Sequence, residues 1–326
     1  MLRVLLILLL LTPLLPSQAA TLKIATLAPD GTRWMETMRA GAREIEERTE
    51  GRVKLRFYPG GVMGNDNSVL RKIRVGQLHG AALTAGGLAA VYPDIQLYSL
   101  PFLFRNSAEV DAVRAVLDPL LIDGLQRQGF VSYGISESGF AFLMSEYPLD
   151  DVASLQQRKI WTPEGDAISL QAFQTIGISP VPLPLTDVLT GLQTSLIDTV
   201  ASSPVGAIAL QWHTRIRHVA DIPLTYLYGT LVIRDAALEK LSPEDRETMQ
   251  HILREHTLQL NRQNRDDNRQ ARQAMLQQGV RFSTPLAGDD ESWQQLIERV
   301  EQRLRKENHL DPGLVDRLYR ELDRLR

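Results

Sequence analysis

"GRVKLRFYPGGVMGNDNSVLRKIRVGQLHGAAL", residues 51–83, contains the logic of the fold in one stretch. "RVKLRFY" alternates apolar and polar side chains, the period of a strand with one face buried. Pro59 and Gly60 turn the chain, "NSVLRKIRVG" has helical spacing that Gly76 can stop, and "HGAAL" resumes as a strand of small residues. Upstream, "TLKIATLA" (21–28) is a further alternating strand, and the helix behind it carries Trp34, Met38, Ala42 and Ile45 on one stripe closed by Gly51. This βαβαβ order predicts a parallel sheet with crossover helices. Ligands in open α/β sheets collect at the carboxyl ends of strands, here at Leu27 and at the small residues Thr84, Ala85, Gly86 and Gly87.

From Phe130 the pattern changes. "FVSYGIS" and "GFAFLMS" read as two strands, and a second α/β set begins at Leu155. In it "RKIWTP" is a strand, "GDAISLQAFQTIG" a helix, "SPVPLPL" an extended segment stiffened by proline, and "DTVASSP" a returning strand. Thr186 is the expected N-cap of "DVLTGLQTSLI". Thr162 and Ser202 are expected at neighbouring strand ends facing one crevice. Two α/β lobes result, with no internal sequence repeat.

A late helix joins them. Ser242 caps it, Pro243 is its first residue, Glu244 and Asp245 follow, and Gly279 ends it. Roughly 36 residues at helical rise span about 54 Å, more than one lobe. Its first half has apolar Met249, Ile252, Leu253 and Leu260, whereas "NRQNRDDNRQ" (261–270) is polar on every face, as in a helix running across a surface or between domains. It reads as a brace lying along both lobes, the competing reading being two helices with a break near Asn264. The tail after it, "DDESWQQLIERVEQRLRKENHLDPGLVDRLYRELDRLR", reads as two amphipathic helices parted by "LDPG", with Trp293, Ile297 and Val300 on one stripe and Leu314, Leu318 and Leu322 on the other. A packing role is expected for it, with a dimer contact as the alternative.

The chain opens "MLRVLLILLLLTPLLPSQAATLKIA": one basic residue, an apolar run from Val4 to Leu11, and small residues near Ala19. That run is far short of the roughly 20 residues a bilayer requires, so it reads as a secretory leader cut after Ala19 or Ala20, which places the mature chain in the periplasm. There are no cysteines, which excludes a lipid-anchored form, a disulfide framework and thiolate chemistry. Removing Arg3 takes the formal charge from −3 to −4, which favours neither nucleic acid nor an anionic membrane.

Several stretches resemble the solute-binding proteins of TRAP transporters, the DctP-like family: residues 51–83, "LPFLFRN" (100–106), "PVPLPLTDVLTGLQTSLIDTV" (180–200) and the long helix after "LEKLSPED". The resemblance covers nearly all of the mature chain. It implies an α/β periplasmic binding protein fold of two lobes, a cleft between them and a long helix bracing both. It further implies closure on a small organic anion and handover to a small and a large membrane permease subunit. The organisation it suggests is a leader at 1–19, lobe I at 20–135 with part of about 215–260, and lobe II at 136–214 with part of about 261–300. An inter-lobe segment at 236–278 contains the long helix, and 300–326 form a helical tail. No cofactor is expected, and the chain is expected as a monomer or dimer.

The departures from the family concern the ligand. The family's arginine that forks onto the ligand carboxylate corresponds here to Trp161, which has one N–H donor and no charge. A second family arginine near "SGFAF" is replaced by Ala141, and an acidic residue and Asn before proline are replaced by Ser202 and Ser203. The expected ligand is therefore less anionic, larger or more apolar than a small carboxylate. Trp161, Phe140, Phe142, Tyr226 and Tyr228 are expected to hold it, with Thr162, Ser202, Ser203 and Thr84 as polar partners beside Leu27 and Ala85. The alternatives are a carboxylate held by Arg158 or Lys159, and a sensor or carrier of apolar molecules uncoupled from transport.

Catalysis is not expected. "GISESG" is not G-x-S-x-G, the pairs His213/His218 and His251/His256 are spaced by five, and neither H-E-x-x-H nor a Walker A motif occurs. "GGVMGND" (60–66) lacks the glycine spacing of a dinucleotide loop.

Overall fold

The computed structural model describes residues 19–284, 290–307 and 309–326. Residues 1–18, the expected leader, lie outside the described residues, as does the side chain of Trp293. Among the described residues no helix is long and apolar enough to cross a membrane.

Strand β1 (Ala20–Thr26) leads through helix α1 (Arg33–Arg48) to β2 (Val53–Tyr58), then through α2 (Asp66–Arg74) to β3 (Gly80–Thr84). Both β2 and β3 pair with β1 in parallel, as the alternation predicts. Thr84 then caps a one-turn helix, α3 (Ala85–Leu88), and α4 (Ser107–Arg127) follows. The two strands expected from Phe130 are instead one continuous strand, β4 (Phe130–Ser145). Two irregularities in its pairing, after Ser132 and after Glu137, absorb the local change of pattern without ending the strand. The expected lobe boundary at 135/136 falls inside this strand.

After β4 come α5 (Val152–Gln156), β5 (Trp161–Pro163), α6 (Ala167–Thr175), β6 (Val181–Leu183), α7 (Val188–Gln193), β7 (Thr199–Ser202) and α8 (Pro204–Ala209). Thr186 does not cap α7: residues 185–187 first tighten into a single 3-10 turn, so Asp187 takes the cap position, and the Thr186 hydroxyl bonds Asp187 instead. The chain returns through β8 (His218–Ala220) and β9 (Thr225–Arg234), followed by α9 (Asp235–Leu238). Because β9 inserts between β3 and β4 and runs against both, the first sheet is mixed rather than wholly parallel. The end of β4 pairs instead with β7 and β8 in the second set, so one strand belongs to both halves of the molecule.

The long helix is unbroken: α10 runs from Pro243 to Gln277, with the Ser242 hydroxyl accepting from Asp245 N. Met249, Ile252, Leu253 and Leu260 pack into one core with Leu22, Ile24 and Met38, whereas Met275 packs into another with Val188, Val200 and Trp212. Between these anchors the polar stretch is bonded to β4. Asn261 accepts from Glu137 N at 2.9 Å and donates to Ile135 O at 2.8 Å. Asn264 donates to Glu137 O, and Asn268 donates to Ser138 O at 3.0 Å while accepting from Val205 N at 3.2 Å. Gly139, at φ +94, leaves room for this approach; a Cβ there would lie 2.8 Å from the Asn268 amide.

The Glu137 carboxylate is buried at the same point. It accepts from Tyr226 Oη at 2.5 Å and Arg265 Nε at 3.0 Å, with Arg114 Nη1 at 3.6 Å. Strand β10 (Arg281–Ser283) pairs with β8, and Arg272 forks onto Asp221 at 2.6 Å. The tail forms α11 (Asp290–Glu307) and α12 (Pro312–Asp323). Val300, Leu304, Leu318 and Leu322 are buried in the main core, and Arg326 pairs with Glu109.

Removing Glu137 leaves Arg114, Arg265 and Tyr226 without their shared acceptor. Glu137→Ala is expected to lower unfolding free energy by about 3–5 kcal/mol, read from urea denaturation; a loss below about 1 kcal/mol would contradict this account of the junction.

Candidate functional site

The carboxyl ends of β1, β3, β5 and β7 converge on one cavity of about 420 Å³. Lobe I contributes Thr26–Pro29, Asn65, Asp66 and Thr84–Gly86; the second set contributes Trp161, Pro163, Phe173 and Ala201–Ser203; β4, β9 and α10 supply the floor through Ser136–Ser138, Leu227–Thr230, Leu260 and Asn264. The two sides meet directly at its edge. Asn65 Nδ2 donates to Glu164 Oε2 at 3.2 Å, and Gln96 Nε2 donates to Asp166 Oδ1 at 3.0 Å.

Trp161 lies in this wall. Its ring meets Trp212 edge-on at 5.2 Å, and its only donor, Nε1, bonds Leu183 O at 3.0 Å. Trp161 therefore offers the cavity an aromatic surface and no free donor. Pro163 shares its face of β5, so the intervening Thr162 points the other way, buried, with an unpartnered hydroxyl.

Of the other expected residues, Ser202, Ser203, Thr84, Ala85, Leu27 and Tyr228 line the cavity. Thr84 and Ser203 each use a lone pair to cap a short helix, which leaves the hydroxyl proton available; Ser202 donates to Ser203 O and keeps its acceptor capacity. Tyr228 Oη donates to Ile95 O and accepts from Tyr98 N, and burial raises its pKa well above the usual phenol range.

The structure does not bring Phe140, Phe142, Tyr226, Arg158 or Lys159 to the cavity. Tyr226 stacks behind Tyr228 with Phe140 edge-on against it, because its hydroxyl is held by Glu137. Phe142 packs into the core around Trp161. The Arg158 guanidinium sits over the Tyr147 ring at 4.8 Å, and Lys159 Nζ donates to Ser195 O at 3.0 Å.

Residues that the sequence did not assign to the site complete the wall: Arg33, Asp66, Glu164, Asp166, Trp212 and Val300. Asn65 and Asp66 carry a local signal, an N-cap and first-turn acid opening a helix after a glycine turn. Val300 carries none, since its place depends on the tail folding back over α6.

Among the described lining residues Arg33 is the sole cation, against Asp66, Glu137, Glu164, Asp166 and Asp267. Arg33 Nε is already bonded to Asp267 at 2.5 Å. Asp166 caps α6, accepting from Ser169 N and Oγ. Asp66 differs from the rest: its Oδ1 is buried without a hydrogen-bond partner, and burial pushes the carboxyl up to about 6. The carboxylate lies over Gly87, where a side chain would collide with it.

The family model of the bacterial extracellular solute-binding proteins, family 7 (DctP), matches residues 24–308. Among curated proteins, the 2,3-diketo-L-gulonate-binding periplasmic protein of Escherichia coli is 29% identical over 209 residues, covering 61% of each chain. Three such relatives are matched over 61% to 65% of their own length. Two solved TRAP periplasmic solute-binding proteins share the fold. That of Shewanella oneidensis with bound succinate has a TM-score of 0.85 at 18% identity, over 93% of this chain and 99% of its own. That of Xanthobacter autotrophicus with bound β-D-galacturonate has a TM-score of 0.83 at 19% identity, over 92% and 98%.

An Asp whose folded pKa is raised favours the protonated folded state, so it opposes stability above the unfolded pKa near 3.8, fully so above about 6. The positive end of α2 offsets part of this. Asp66→Asn is therefore expected to raise the melting temperature by a few degrees at pH 7.5, with the gain shrinking as pH falls towards 4; an equal gain at both pH values would contradict the burial argument.

Proposed function

Because the chain belongs to the bacterial extracellular solute-binding proteins of family 7, we propose that it captures a small organic ligand other than a simple carboxylate in this cavity and delivers it to the membrane subunits of a TRAP-type transporter. The family and the structural neighbours are binding proteins, and the chain is not an enzyme. The observation that carries the ligand reading is the wall at Trp161. An aromatic ring with its donor engaged stands where the sequence resemblance places a carboxylate-forking arginine, and the charged groups among the otherwise mostly apolar described lining are acidic apart from Arg33. A carboxylate entering such a site loses its hydration without gaining a paired cation.

Closure is the capture step. The lobes hinge about β4 and α10, and the Asn65–Glu164 and Gln96–Asp166 bonds belong to the closed form. Periplasmic location follows from the same reading, with residues 1–19 as the leader. A second reading, a carboxylate binder, rests on Arg33, the one guanidinium among the described lining residues, whose side chain is 51% exposed; Arg158 and Lys159 are turned elsewhere.

Native mass spectrometry of protein purified from the periplasm, followed by denaturation, identifies what the cavity holds. A released molecule without a carboxylate is expected; a small sugar acid or dicarboxylate would refute the ligand reading. Replacing both Asn65 and Gln96 by Ala is expected to weaken binding of that molecule about tenfold by disfavouring closure, and unchanged affinity would show that these bonds do not hold the closed form.

A further inference from the structure

We infer that the ligand carries an organic cation, a protonated amine or its equivalent, seated on Asp66 beside an apolar body that lies against Trp161 and Tyr228. The inference rests on the proposed function and names the ligand class for that same cavity.

Among the described lining residues, four of the five carboxyl groups already have partners. Asp267 faces Arg33, Asp166 caps α6 and accepts from Gln96, Glu164 accepts from Asn65, and Glu137 is held by Arg265 and Tyr226. Asp66 lines the cavity without a hydrogen bond or ion pair among the described residues and with no neighbouring cation that lowers its pKa; its Oδ1 is closed off, so the seat is Oδ2. An unpaired carboxylate of this kind is costly unless something else supplies the donor.

A metal ion does not meet the need. Among the described residues no three Asp, Glu or His side chains are placed to hold one. A carboxylate without a partner beside an aromatic wall suits an ammonium group on an apolar body. Cations are drawn to aromatic faces, and an unpaired carboxylate beside such a face adds a charge of opposite sign. Gly87 maintains the space in which the carboxylate sits, so the arrangement depends on a residue without a side chain.

The test uses three probes of one shape and different charge: 2-phenylethylamine, 2-phenylethanol and phenylacetate. Each is titrated at pH 7.5 into the mature protein and into Asp66→Asn, following the fluorescence of Trp34, Trp161 and Trp212, all of which line the cavity. The amine is expected to bind at least tenfold more tightly than the other two, and Asp66→Asn to reduce it to the level of the alcohol. Failure of the amine to bind, equal binding of amine and alcohol, or an amine affinity unchanged by Asp66→Asn overturns the inference and leaves the non-carboxylate reading standing. Tightest binding by phenylacetate overturns both.

Discussion

Everything in this molecule is arranged around the junction where β4 passes from one lobe to the other and meets α10. A strand that serves two sheets must break its ladder somewhere, and each broken position leaves backbone groups in need of partners. The asparagines of α10 supply them, at Ile135, Glu137 and Ser138. The Glu137 side chain then draws in Arg265 from α10, Tyr226 from β9 and Arg114 from α4. Four elements are tied at one buried carboxylate, beside the floor of the cavity. A group satisfied on all sides keeps the junction in one arrangement, while at the cavity edge the lobes meet through the Asn65–Glu164 and Gln96–Asp166 bonds.

The same junction determines which aromatic side chains a ligand can meet. Tyr226 is held back by Glu137 and becomes the layer behind Tyr228 rather than part of the wall. Trp161 reaches the wall because β5 places it on the cavity face with Pro163, and Leu183 takes its N–H. What the described lining offers a ligand includes aromatic faces, the hydroxyl protons of Thr84 and Ser203, the Ser202 hydroxyl as acceptor and the carboxyl of Asp66.

Much of the fold was legible because it follows from periodicity and punctuation. The βαβαβ unit, the limits of α10 and the split of the tail all come from apolar spacing with caps and glycines at the right places. The polar stretch 261–270 was legible as a span but not as a clasp, since its partners are backbone atoms over a hundred residues away. The unity of β4 was hidden because its irregularities imitate a break. At the site, small residues at strand ends located Thr84, Ala85, Ser202 and Ser203, for the reason that strand ends are where backbone approaches ligand. Side-chain direction was not legible where a short strand or a buried partner decides it: Thr162 turns away by strand alternation, Arg158 turns to Tyr147, and Asp66 reaches the cavity because Gly87 leaves it room.

The central claim is that this cavity holds its ligand without a cation forked onto a carboxylate. A crystal structure of the protein as purified from the periplasm, with its ligand in place, tests it most directly. The account predicts a ligand body against Trp161 and Tyr228, a donor on Asp66, and Arg33 still bonded to Asp267. A carboxylate bound by Arg33, with Asp267 released, would contradict it.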